Sequence, residues 1–242
     1  MGTAGAINLG NADVYGKAAT GAGGGISVGS NGGVGSRDWQ SSHPGQIQPG
    51  WSSSDMNVFF PDVVAPFSSG MTPASDTVGG QSYAYVLGRG DYYLSSLSLS
   101  GKNSLIVTDN ARLRVDGSIS LAGQATIIIA TNASLTLYAN GPVDLSGNGL
   151  ANNNTSATNF FFYGMTNNTS ITLSGNGTLT GVIYAPNADF SLKGGGNSDQ
   201  DFVGASVTKS VTMNGHFKFH YDEALSRLGS SGAFQITSWN EI

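Results

Sequence analysis

The chain reads as an all-β protein: a right-handed parallel β-helix with a long irregular flanking segment and a short C-terminal helix and strand cap. Three observations predict this. A short motif of apolar residue, small polar residue, Leu or Met, any residue and Gly returns six times, first as Leu97-Ser98-Leu99-Ser100-Gly101 and last as Val211-Thr212-Met213-Asn214-Gly215. Its copies start at 97, 119, 143, 171, 190 and 211, in steps of 22, 24, 28, 19 and 21. Self-similarity at a period near 20 residues marks a stacked repeat. Apolar and polar residues alternate inside the motif, which is the period of a strand. Between copies lie further apolar runs, such as Leu105-Ile106-Val107 and Leu113-Arg114-Val115. Each step therefore holds three short strands and three corners, the arithmetic of a parallel β-helix.

Composition bounds the function. The 242 residues suit a single β domain spanning 1–242. Charged residues are only 10% of the chain, well under the ~25% of ordinary soluble domains. The surface must then be built from hydroxyls, amides and backbone. A net charge of −5 argues against nucleic acid, which requires a basic footprint. Cysteine is absent, which excludes disulfides and thiolate chemistry. No apolar run approaches the ~18 residues of a membrane span, so no membrane insertion is expected. The chain starts Met1-Gly2-Thr3 and enters repeat-like sequence at once. A native N-terminal export or anchor segment is therefore expected to be missing, with an extracellular or cell-surface location.

Along the chain, Ile7-Asn8-Leu9-Gly10 and Ile26-Ser27-Val28-Gly29 echo the motif as N-terminal coils. From Arg37 to about Gly80 the repeat breaks. This segment carries Trp39, Trp51, Phe59, Phe60, Phe67 and four of the seven prolines. Pro cannot donate to a sheet ladder, so regular coils are not expected here. The aromatics predict a segment packed along the solenoid's flank or over one end, with a binding lid as the alternative. Residues 83–220 form the main solenoid. The 28-residue step contains Asn152-Asn153-Asn154-Thr155-Ser156, read as a loop thrown out from one corner. Residues 221–242 are read as the cap. It begins with a helical turn from Asp222, an N-cap residue, to Gly229. It ends with the strand Phe234-Gln235-Ile236-Thr237 and Trp239.

Two residue groups resemble a known family. These are Val182-Ile183-Tyr184-Ala185-Pro186-Asn187-Ala188-Asp189-Phe190 with Gly204-Ala205-Ser206-Val207, and His220-Tyr221-Asp222-Glu223-Ala224-Leu225. Together they resemble a bacterial domain of unknown function found at the C-terminal ends of PilX-like pilus-assembly and other surface-associated proteins. The resemblance implies a β-helix, an exported location and a pilus or envelope association. It brings no catalytic residues with it.

Candidate chemistry is sparse. Ser98, Ser120, Asp144, Thr172, Ser191 and Thr212 should form one outward column. Ser100, Ala122, Ser146, Ser174, Lys193 and Asn214 should form its neighbour. This hydroxyl face is read first as a solvated surface, with glycan binding as the alternative and ice binding ranked low. Aligning the third strands puts Arg114, Tyr138, Tyr163, Tyr184 and Ser206 in one outward column, with Phe161 beside it. Stacked tyrosines offer rigid apolar faces with polar tips, a platform for sugar rings. The competing reading is that the 37–80 segment covers them. His216 and His220 lie two pleats apart, too far for one metal, so no metal and no cofactor are expected. His43 has no evident partner. β-helix glycosidases and lyases need paired carboxylates in a groove, and no aligned pair is found beyond Asp199 and Asp201 at one corner. The leading reading is a non-catalytic, structural or adhesive exported module. Its partners are polysaccharide or other surface proteins, and its candidate carbohydrate-binding residues are Tyr138, Tyr163, Tyr184, Phe161 and Arg114. The alternative is a polysaccharide-active enzyme, a glycoside hydrolase or lyase, on the same scaffold.

Overall fold

Alternation along the chain becomes three parallel ladders in space. The computed structural model describes residues 2–3, 5–55, 59–146, 148–175, 178–194, 202–215 and 217–227. They form a parallel β-solenoid of about nine turns with little helix. His216, the Asp199 and Asp201 pair, Gly229, the expected strand at 234–237 and Trp239 lie outside the described residues.

The motif builds one face, here the repeat face. Leu97–Leu99, Ile119–Leu121, Val143–Leu145 and Ser170–Gly175 stack in register, followed by the second halves of Leu179–Gly194 and Phe202–Gly215. Its first apolar positions (Leu97, Ile119, Val143, Ile171, Phe190 and Val211) point inward and are buried, as are Leu99, Leu121, Leu145, Leu173, Leu192 and Met213. Each such side chain contributes about 1.5–3 kcal/mol by leaving water. The polar positions align outward as read, from Ser98 through Ser120, Asp144, Thr172 and Ser191 to Thr212.

The tyrosine face stacks Gly90–Leu94, Asn110–Val115, Ser134–Ala139 and Phe160–Gly164, then the middles of the two long strands. The third face stacks Gln81–Leu87, Ser104–Val107, Thr126–Ile129 and Leu150–Asn152. The core is aliphatic in the early turns. Later it turns aromatic, with Phe190 5.9 Å from Phe202 and Phe202 stacked 4.4 Å from Phe219. One close approach requires glycine. Gly204 has φ +147, and a Cβ there would sit 1.8 Å from the Gly181 carbonyl oxygen.

The corner after Leu150–Asn152 is tied down rather than thrown out. Asn154 Nδ2 donates to the carbonyls of Ala130 and Ala133, and its Oδ1 accepts from the Asn132 amide at 2.7 Å. Asn152 Nδ2 reaches the Thr180 carbonyl on the next turn.

The N-terminal coils are not where chain order would put them. Gly2–Thr3 and Ile7–Asn8 pair with Phe202–Gly215, and Asp13–Tyr15 pairs with Lys218–Tyr221. The edge that the sequence reading leaves to residues after 221 is therefore covered by the beginning of the chain. Ala18–Thr20, Ile26–Ser27, Gly33–Gly35 and Gln46–Ile47 continue the stack outward. The far end is closed by the helical turn Arg37–Gln40, N-capped by Ser36. Gln40 Nε2 donates to the carbonyls of Val14 and Gly35 there. Glu223–Arg227 forms a 3-10 turn against the side of the rod. Asp222 accepts from the amides of Ala157 and Ala224 there, a capping role that holds the turn in place.

Residues 59–73 then run back along the rod. The strand Ala74–Val78 turns antiparallel onto Gln81–Leu87 and closes the near end. The 37–80 segment thus does two jobs, closing both ends and covering a flank.

Candidate functional site

The tyrosine column is set by register. Tyr93, Arg114, Tyr138, Tyr163, Tyr184 and Val207 occupy equivalent positions on successive turns. Ser206, expected in this column, pairs with Ile183 instead and is buried on the inward side. A one-residue slip in reading the last strand moves the side chain to the other face. Tyr138 and Tyr163 stack at 5.3 Å and 16°, and Phe161 lies parallel to Tyr163 at 6.4 Å. Tyr184 meets Tyr163 edge-on at 6.4 Å. The sequence-derived residues therefore do come together.

They do not form an open platform, because the flank lies over them. Phe60 packs edge-on against Tyr184 at 6.4 Å, and the Tyr184 hydroxyl donates to the Pro61 carbonyl at 2.8 Å. Asn187 Nδ2 donates to Asp62 at 2.7 Å. Val63 pairs with Met165 in an isolated bridge. Phe67 meets Tyr138 edge-on at 5.9 Å, and its carbonyl accepts from Arg114 at 2.9 Å. Met71 completes the strap, donating its amide to the Asp91 carbonyl and accepting from the Tyr93 amide. Tyr184 is only 5% exposed, while Tyr138, Tyr163 and Phe161 are half-buried. Of the two arrangements that the sequence leaves open, the stripe takes the covered one: aromatic side chains of the chain itself pack against the rings at both ends. Not all flank aromatics pack down, since Phe59 is 87% exposed.

Burial shows in the ionisation of the stripe. It pushes the Tyr138, Tyr163 and Tyr184 phenols up from their ordinary value, with neighbouring Tyr163 adding to the effect on Tyr138 and Asp62 to that on Tyr184.

Beside the stripe lies a set of ion pairs that anchors the strap's end. Arg112 binds Asp91 in a bidentate pair at 2.6 Å and sits 5.3 Å over the Phe67 ring. Arg114 holds Asp116 at 2.7 Å, and Tyr93 donates to the same carboxylate at 3.0 Å. The Arg114 hydrogen bond is the main reason the Asp116 carboxyl is held low, and the hydrogen bond to Asp116 is the main reason the Tyr93 phenol is raised. Arg114, expected to contact a sugar, is engaged in holding the strap.

Other candidates have plain partners. His220 lies 4.9 Å from the Tyr15 ring. His43 stacks on Trp39 at 4.3 Å and 1°, which supplies the partner the sequence did not show. Asp144 accepts from Ser146, whose hydroxyl in turn accepts from Ser174. Among the described residues, no group of three or more His, Asp or Glu side chains is placed to hold a metal ion. A cleft of about 200 Å³ at Asp13, Tyr15, Arg37 and Gln40 is below the ~300 Å³ at which ligand pockets usually begin.

Phe60 and Phe67 are among the flank aromatics that the sequence expects to pack down, but the rings they meet, and the parts of Met71 and Tyr93, are not read from it. The signal was present in the aromatic and proline content of the flank, but nothing local said which face it would meet.

The architecture defines a parallel β-solenoid with a self-docked strap. The chain belongs to the family described as a domain of unknown function (DUF7305), whose model matches residues 63–228. The match opens at Val63, inside the strap, and leaves the N-terminal coils outside it. No curated protein and no solved structure matches the chain. Among the described residues, no helix is long and apolar enough to cross a membrane.

Proposed function

We propose that this chain is an exported, non-catalytic structural module, associated with a pilus or with the bacterial envelope. The observation that carries this reading is the strap: the aromatic stripe of Tyr138, Tyr163 and Tyr184 is taken up by the chain itself. What remains open is a flat repeat face of small hydroxyl side chains along the rod, with Ser98 and Asp144 exposed on it. Such a surface suits contact with other surface proteins or polysaccharide. Asp91, Asp109, Asp116 and Asp189 each sit in an ion pair, and this supports a structural role for them over acid–base work. Low charge, abundant Gly, Ser and Asn, and the absence of cysteine support an exposed location.

Cell fractionation with surface labelling of intact producer cells tests the location, with label on the protein as the expected result and a purely internal pool as the contrary one. A panel of polysaccharides assayed for new reducing ends tests the chemistry. Steady product release by purified protein would replace this reading with the glycoside hydrolase or lyase alternative.

A further inference from the structure

Turn seven of the rod is made from two distant pieces of chain. Its third-face strand is Lys218–Tyr221, stacked on residues 202–204. Its other two strands are Gly2–Thr3 and Ile7–Asn8, stacked on residues 207–208 and 211–212. No peptide bond joins these pieces within the turn. The edge formed by 202–215 and 218–221 would otherwise be a row of open main-chain groups above an exposed core section, the kind of edge that templates strand addition. Gly2–Thr3, Ile7–Asn8 and Asp13–Tyr15 satisfy it. The Gly5 amide donates to the Lys209 carbonyl at 3.0 Å, and the Asp13 amide to the Phe217 carbonyl at 3.2 Å. Ile7 stacks on Val211, and Val14 on Phe219, with all four side chains buried.

The covalent route between the two sides is the 54–80 flank. Its main chain meets the rod, between residues 59 and 73, in two isolated bridges, Val63 to Met165 and Met71 to Tyr92. Eight turn heights span roughly 38 Å at the strand spacing, whereas 27 extended residues reach roughly 90 Å. A released flank is therefore long enough to seat residues 2–53 on another rod. The recognition chemistry is strand pairing with alternating inward apolar residues, and every copy of the chain carries both halves.

We propose that the 202–221 edge is an interaction surface for a second copy of this chain, which docks its residues 2–53 there in place of the resident ones. Within one chain the tether supplies an effective concentration in the millimolar range, so the closed monomer dominates in dilute solution. Exchange competes when the protein folds or refolds at comparable local concentration.

Asn8 and Thr212 are register neighbours on the outer face, close enough for a disulfide, and the chain has no cysteine of its own. The full-length Asn8→Cys/Thr212→Cys variant is refolded reduced at a series of concentrations, oxidised and run without reductant. The expected result is an intrachain link at micromolar protein. Interchain-linked species should then rise about tenfold per tenfold increase in concentration, toward parity near the millimolar range. Intrachain links alone at every concentration overturn the proposal, as do equal multimers from either single-cysteine variant. A second measurement needs no substitution. Light and isotopically heavy wild-type chains are refolded together, and the strap at 59–73 is nicked by limited proteolysis. Monomer-mass particles carrying a light N-terminal piece on a heavy remainder show exchange by native mass spectrometry. Uniformly labelled particles alone count against it.

Discussion

Tyr184 joins flank and rod through both its ring and its hydroxyl. Its ring meets Phe60 and Tyr163, and its hydroxyl donates to the Pro61 carbonyl. Truncation at this 5% exposed site removes the packing of a large ring, so Tyr184→Ala should cost about 3 kcal/mol in denaturant unfolding. Tyr184→Phe keeps the ring and loses one neutral hydrogen bond, about 1 kcal/mol. Equal effects of the two would show that the ring does not pack as described. The same phenols make the fold sensitive to base. Tyr138, Tyr163 and Tyr184 are all raised by burial, so the folded state holds their protons more tightly than the unfolded chain. Their contribution is complete below the unfolded value near 10 and is lost as pH climbs through the raised folded values. The midpoint of thermal unfolding should start to fall as pH rises past about 10 and go on falling through the raised folded values. A variant with Tyr138, Tyr163 and Tyr184 all changed to Phe should show a shallower fall over the same range.

At the scale of elements, the strap has few main-chain bonds and is held by Phe60, Phe67, Arg114 and Met71. Removing Phe67 takes away the edge contact to Tyr138 and the ring beneath Arg112. Limited proteolysis should then cut Phe67→Ala within 59–73 at least about tenfold faster than wild type, while the turns stay intact. Unchanged cutting would place the strap's hold elsewhere. The repeat strands were legible in advance because alternation and period are local properties: Leu97, Ile119, Val143 and Ile171 declare their inward face within five residues. The tyrosine stripe was legible for the same reason, down to a slip at Ser206 where one long strand, Phe202–Gly215, replaces two short ones. Its cover was not. Phe60 and Phe67 meet rings more than 70 residues away, and an irregular segment has no period from which such a partner could be read.

At the scale of the whole molecule, chain order and spatial order part company. A solenoid is stabilised turn on neighbouring turn, so damage is felt by whatever lies adjacent in space. Residues 2–3, 7–8 and 13–15 are adjacent to 202–221, although nearly the whole chain separates them in sequence. Nothing in a repeat motif records such an arrangement, because every open edge offers the same pairing and the motif cannot say which edge is taken. The consequence is measurable in the intact protein. Ile7 is 1% exposed and lies between Val211 and Ile26. Ile7→Asp places an unpaired carboxylate there, a penalty on the order of 3 kcal/mol or more. Amide hydrogen exchange should then lose about 100-fold protection at Val211 and Phe219, together with residues 2–27. Residues 104–145, several turns away, should exchange as in wild type. If Val211 and Phe219 kept their protection while residues 2–27 lost theirs, the turn would not be shared between the two ends of the chain. Loss of protection throughout the rod would show one cooperative unit instead of a stack of separable turns.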